Sequence, residues 1–140
     1  MVKFNCTTMK KIFVFTLVVF MSIMAFGQNS EKLVPVFDDA GLVVKYQNEK
    51  AVIRFKVKAT EAQLESCKTG AAKRANFSVV SVSEAKDSDG FYTFTVTSTK
   101  HASMDHDKNY FVKVLLSMGM ETFKYKGTEY DVQKFAAVVK

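Results

Sequence analysis

Ala51-Val-Ile-Arg-Phe-Lys-Val-Lys58, continued by Ala59-Thr-Glu-Ala-Gln-Leu64, decides how this chain folds. Ile53, Phe55 and Val57 fall on one side of the first piece, and Arg54, Lys56 and Lys58 on the other. A period of two belongs to a strand with one buried and one wet face. Thr60 and Gln63 then stand at capping-box spacing, where a hydroxyl accepts from the third helical N–H and that residue's side chain reaches back. Leu64, Cys67 and Ala71 follow on one helical stripe, so the spacing predicts a helix over 61–74. Phe77 to about Glu84 reads as the next strand.

Upstream, Leu33-Val-Pro-Val-Phe37 is a short extended piece, and Pro35 is expected to keep it at a sheet edge or off the sheet. Asp38-Asp-Ala-Gly41 is a turn. Leu42 to Tyr46 is expected to pair with the key strand across Gln47-Asn-Glu-Lys50, which makes a hairpin arm. Downstream, Asp87-Ser-Asp-Gly90 closes a second hairpin and Phe91 to Thr97 is a β-branched, aromatic strand. Ser98 to Asp107 reads as a polar connection and Asn109 to Met118 as a helix with Phe111, Val114, Leu115 and Met118 on its core stripe. Gly119 stands where a left-handed residue ends such a helix. Glu121 to Lys126 is a further strand, Lys126-Gly127 a turn, and 128–140 a strand followed by a short helix carrying Val132, Phe135 and Ala136.

Strand-helix-strand thus occurs twice. The expected fold class is α+β, a ferredoxin-like βαββαβ plait over 51–127: one antiparallel sheet, both helices on one face, with 28–50 as an N-terminal arm and 128–140 as an extension. The uncovered sheet face would carry Arg54, Lys56, Lys58, Thr93, Thr95, Thr97, Thr122, Lys124 and Lys126.

The same residues, Val52-Ile-Arg-Phe-Lys-Val57 leading into a helix and Asp107-Lys-Asn-Tyr-Phe-Val-Lys-Val-Leu-Leu-Ser-Met-Gly-Met120, resemble a heavy-metal-associated domain in pattern. The resemblance runs from about Ala51 to Lys126. Such domains hold soft metals through a Cys-x-x-Cys at the start of the first helix, where Glu61 and Leu64 stand here. The resemblance therefore implies the scaffold and not the metal site, and this scaffold carries many unrelated functions.

Lys10-Lys11 precede an apolar run from Ile12 to Phe26, broken only by Thr16 and Ser22, and Ala25 and Gly27 place small residues ahead of Gln28. That order predicts a secretory signal peptide over 1–27, too short for a comfortable membrane span, which needs roughly 20 apolar residues. The segment holds Lys3, Lys10 and Lys11 and no acid, so the formal charge falls from +6 to +3 without it. A charge of that size concerns solubility more than nucleic acid. Cys6 leaves with the signal, so Cys67 has no internal partner and the core must hold the domain without a disulfide.

His101-Ala-Ser-Met-Asp-His-Asp107 gathers both histidines of the chain beside a thioether and carboxylates. These are ligands for copper or zinc, which makes His101, Met104 and His106 the candidate metal residues. Their spacing matches no closed zinc pattern, and the preferred reading is a polar loop ending in Asp107 as the cap of the next helix. Cys67, mid-helix on an apolar stripe, reads as a buried small hydrophobe. Asp87-Ser-Asp-Gly90 lacks the first Asp and last Glu of a calcium loop and is a turn. Asn76-Phe-Ser78 fits a glycosylation acceptor. No Gly-x-Ser-x-Gly and no phosphate-binding glycine loop is present, so no enzyme class and no resident cofactor is indicated. The chain is expected to be a non-catalytic binding or accessory module of the cell envelope, periplasmic or secreted. It would meet a protein or envelope component through the Leu42–Tyr46 arm or the basic sheet face. A periplasmic metal-binding protein using the His101–Asp107 loop is the alternative.

Overall fold

The computed structural model describes residues 31–38 and 40–140, and the expected signal peptide lies outside them. The expected strand forms as β3 (Lys50–Val57), with Ala51, Ile53, Phe55 and Val57 all buried and Arg54 and Lys56 exposed. It pairs along its whole length with β5 (Tyr92–Thr99), from Lys50 opposite Thr99 to Val57 opposite Tyr92. Around this pair the chain adds β1 (Val36–Phe37), β2 (Lys45–Gln47), β4 (Ser78–Val82), β6 (Thr122–Tyr125) and β7 (Thr128–Asp131). The sheet order is β4-β5-β3-β1-β6-β7, with β2 also on β3.

The expected four-stranded antiparallel sheet is therefore corrected to a mixed seven-stranded one. β1 runs antiparallel to β3 and parallel to β6, between the two. Pro35 does not exclude this piece from the sheet, because it precedes the paired residues and contributes only its carbonyl, which accepts from Lys124 N at 2.8 Å. The insertion is driven by Phe37, 3% exposed, whose ring lies 5.2 Å from those of Phe55 and Phe135 and 6.0 Å from that of Phe123. Burying one such ring is worth about 1.5–3 kcal/mol, as much as two ladder bonds contribute net.

Helix α1 (Glu61–Ala72) begins as expected: Thr60 Oγ1 accepts from Gln63 N at 3.2 Å and Gln63 Oε1 from Thr60 N at 2.9 Å. Helix α2 (Met104–Ser117) begins five residues before the expected Asn109, because Ser103 rather than Asp107 caps it by accepting from His106 N. Its end is the Schellman pattern: Gly119 at φ +81°, Gly119 N donating to Leu116 O and Met120 N to Leu115 O. The chain closes with a 3₁₀ turn (Val132–Lys134) and the short α3 (Phe135–Val138), which buries Val132 and Phe135. The buried stripes of α1, α2 and α3 join the inward residues of the sheet in one core. Helices α1 and α2 cross at Gly70, where a Cβ would overlap the Ser117 carbonyl, so only glycine permits that approach. No helix among the described residues is long and apolar enough to cross a membrane.

Candidate functional site

Register decides what faces out. Val52 lies opposite Thr97 and Arg54 opposite Thr95, so all four share the sheet face away from the helices. The hairpin between β2 and β3 turns through Asn48 (φ 49°) and Glu49 (φ 62°), a left-handed pair of the type that joins two-residue hairpins. It sets Lys45 opposite Val52 and Gln47 opposite Lys50, which brings their side chains to that same face. With Phe37, Asp38, Leu42 and Val43 as the other wall, these residues enclose a groove of about 470 Å³.

The groove is basic. Lys45, Lys50 and Arg54 line it against one acid, Asp38, and none of the three cations forms an ion pair among the described residues. Nearby lysines outside it are engaged: Lys56 Nζ on Asp87 at 2.9 Å and Lys32 Nζ on Glu129 at 3.4 Å. Asp38 is turned into its own loop, where Oδ1 accepts from Ala40 N at 2.9 Å. Thr95 and Thr97 supply hydroxyls, Gln47 and Asn48 amides, and Leu42, 55% exposed, an apolar lip. Arg54, Thr95 and Thr97 were expected on this face. Lys45 and Gln47 were not, because a three-residue strand shows too little alternation to reveal which way its side chains point, and Lys50 was not, because it reads as the end of the turn rather than the first residue of β3.

Alternation along β2 sends Tyr46 the other way. Its hydroxyl donates to Asp107 Oδ2 at 2.8 Å. Asp107 is fully buried in the first turn of α2 rather than capping it, and its Oδ1 accepts from His101 N at 2.9 Å and from His101 Nδ1 at 2.8 Å. Burial pushes this carboxyl up, but the bonds from His101 N–H, the His101 ring and Tyr46 outweigh it and hold Asp107 below its ordinary value. The same carboxylate, with burial as the larger cause, raises the Tyr46 phenol to about 12. Lys100 Nζ sits 5.1 Å above the Tyr46 ring, and the Tyr110 ring packs 5.2 Å from that of His101.

The candidate metal residues are thus placed as follows. His101 has Nδ1 committed to Asp107 and its side chain 40% exposed, which leaves Nε2 for another partner. Met104 is half-buried at the start of α2, and His106 is exposed in its first turn. Among the described residues no group of three or more His, Cys, Asp and Glu side chains is arranged to hold a metal ion. No serine, threonine or cysteine bonds the His101 ring among the described residues. Cys67 is buried at the helix crossing, where Sγ lies 3.4 Å from Met118 O and burial pushes the thiol up. Asp87 organises its turn through Asp89 N and Phe91 N. In the Asn76 acceptor sequence Ser78 is buried and its hydroxyl is held between Arg74 O and Tyr110 Oη. Compared with known protein families, curated proteins and solved structures, the chain matches none.

Proposed function

We propose that this chain is an exported, non-catalytic module that holds an anionic partner of the cell envelope in the groove between β2 and the open sheet face. The observation that carries the reading is the set of three cations without ion-pair partners among the described residues, Lys45, Lys50 and Arg54, around one concave surface where Asp38 is the one described acid and is held by its own loop. Cations left without partners gain from an incoming carboxylate or phosphate without first breaking a bond inside the protein. Hydroxyl and amide groups beside them supply direction. The leader-like segment over 1–27 motivates export. The architecture is read as a ferredoxin-like plait pried open by β1: without that strand, β4-β5-β3-β6 is the plait order, with α1 and α2 as the two crossovers.

The metal-handling alternative is favoured by one feature, a carboxylate orienting His101 as such groups orient metal-bound imidazoles. The groove is the stronger candidate because Asp107 already serves Tyr46 and a backbone N–H, which gives that cluster a structural purpose. Fluorescence anisotropy with labelled polyglutamate and labelled polygalacturonate tests the groove. Binding should weaken as salt rises and fall at least tenfold in Arg54→Glu/Lys50→Glu, as expected when about 1.4 kcal/mol or more is lost. Binding indifferent to salt and to both substitutions would remove the proposal. A copper or zinc titration that saturates in wild type and fails in His101→Ala would move the function to the histidine loop.

A further inference from the structure

We propose that β4 is a homotypic edge, through which two copies of this chain join their sheets. β4 is one end of the sheet order, and its inner side is fixed by Thr99 N donating to Phe77 O and Ser83 N to Thr93 O. In an antiparallel ladder the alternate residues point their backbone groups outward. Those residues are Ser78, Val80 and Val82, and Ser78 N is already spent on Arg74 O. Val80 and Val82 therefore present the N–H and C=O groups with no partner among the described residues. From Ala75 to Ser83 the edge carries no charge and no proline, two of the devices by which proteins blunt an exposed edge. Phe77 and Val79, 64% and 66% exposed, are the most exposed large hydrophobic residues described, and both lie on it.

A second copy fits this edge because the edge matches itself. Two antiparallel copies use every free N–H and C=O of Val80 and Val82 when Val80 lies opposite Val82 of the second copy and Ser81 opposite Ser81 on the two-fold axis. That register uses both free residues of each strand and brings the half-buried valines, which pack against each core, side by side. It also apposes no charges, a condition that the other end of the sheet fails: β7 carries Glu129 and Asp131, which would face their own copies or near them. A perpendicular two-fold keeps both open faces on one side. Five strand spacings then separate the two β3 strands, about 24 Å. On the reading of the groove given above, one extended anionic chain longer than this reaches both grooves.

Sedimentation of the purified protein without ligand tests the edge apart from the groove. The expected result is a monomer–dimer equilibrium that shifts to monomer in Val80→Pro and in Ser81→Lys. Val80→Pro removes an N–H that the single copy does not use, and an edge strand accepts proline there. Ser81→Lys places like charges on the axis at an exposed position and keeps the test valid if the proline variant fails to fold. In Ser81→Cys, mild oxidation should link two chains through residue 81, since directly opposite Cβ atoms approach most closely at a non-bonded pair, to about the 4.5 Å at which a disulfide still closes. A monomer at all concentrations, or a dimer untouched by Ser81→Lys, overturns the proposal.

Discussion

Strand β2 divides two groups of polar residues that spend their polarity in opposite ways. On one side Lys45 joins Lys50 and Arg54, exposed and without ion-pair partners among the described residues. On the other, Tyr46 completes a carboxylate that accepts three hydrogen bonds while fully buried. Adjacent residues of one short strand thus serve binding and folding separately. A saturated buried group has nothing left to offer a ligand, whereas an unsaturated exposed one contributes almost nothing to stability.

The largest expected effect breaks the buried side. Asp107→Ala leaves the His101 N–H, the His101 ring and the Tyr46 hydroxyl without their acceptor. Both side chains can turn toward water, but the backbone group cannot, so chemical denaturation should show a loss of about 2–3 kcal/mol. Arg54→Ala in the groove should stay within about 0.5 kcal/mol of wild type in the same assay. Equal losses in the two variants would end the contrast.

Acid titration sharpens it. A carboxyl held below its ordinary value in the folded state contributes stability that is present above the ordinary value, about pH 4, and is lost as pH falls through the depressed one. Thermal melts should therefore decline below about pH 4, and less steeply in Asp107→Asn. Half-buried Asp87 and exposed Glu129 shift in the same direction and set the slope that remains. At the alkaline end the sign reverses. Tyr46, raised to about 12, favours the folded state below its ordinary value near 10, and that stability is lost as pH climbs toward 12. Tyr46→Phe should cost about 1 kcal/mol at neutral pH and flatten the alkaline decline.

What could be read from the residues in advance was whatever is fixed locally. The alternation of Ala51 to Lys58, the Thr60–Gln63 box and the Gly119 ending each involve neighbours a few residues apart, and each forms as expected. The place of Val36–Phe37 inside the sheet was hidden because Pro35 argues locally for an edge, while the aromatic partners of Phe37 lie as far along the chain as Phe135. Asp107 reads as a cap until Tyr46, 61 residues away, arrives to bond it. The groove fell between these cases. Its floor on β3 and β5 followed from alternation, but its wall depends on a three-residue strand and a left-handed turn.

That turn carries the smallest prediction. Two hairpins of this chain use a pair of left-handed residues, Asn48-Glu49 between β2 and β3 and Lys126-Gly127 between β6 and β7. The second places glycine where the geometry favours it, and the first places Glu49 at φ 62°. A side chain in that region costs about 1 kcal/mol of strain, and glycine avoids it but leaves the unfolded chain freer by roughly half as much. Glu49→Gly should then raise stability by about 0.5 kcal/mol, and Gly127→Glu should lower it by a similar or larger amount. Because the Glu49 carbonyl accepts from Lys100 N through its backbone, the glycine keeps that tie to the end of β5. Lys45 and Gln47 stay in place, and affinity for polyglutamate should rise slightly as a net acid leaves the neighbourhood of three cations. If Glu49→Gly instead destabilises the fold while leaving the hairpin register intact, the side chain of Glu49 contributes something that its strained backbone conceals.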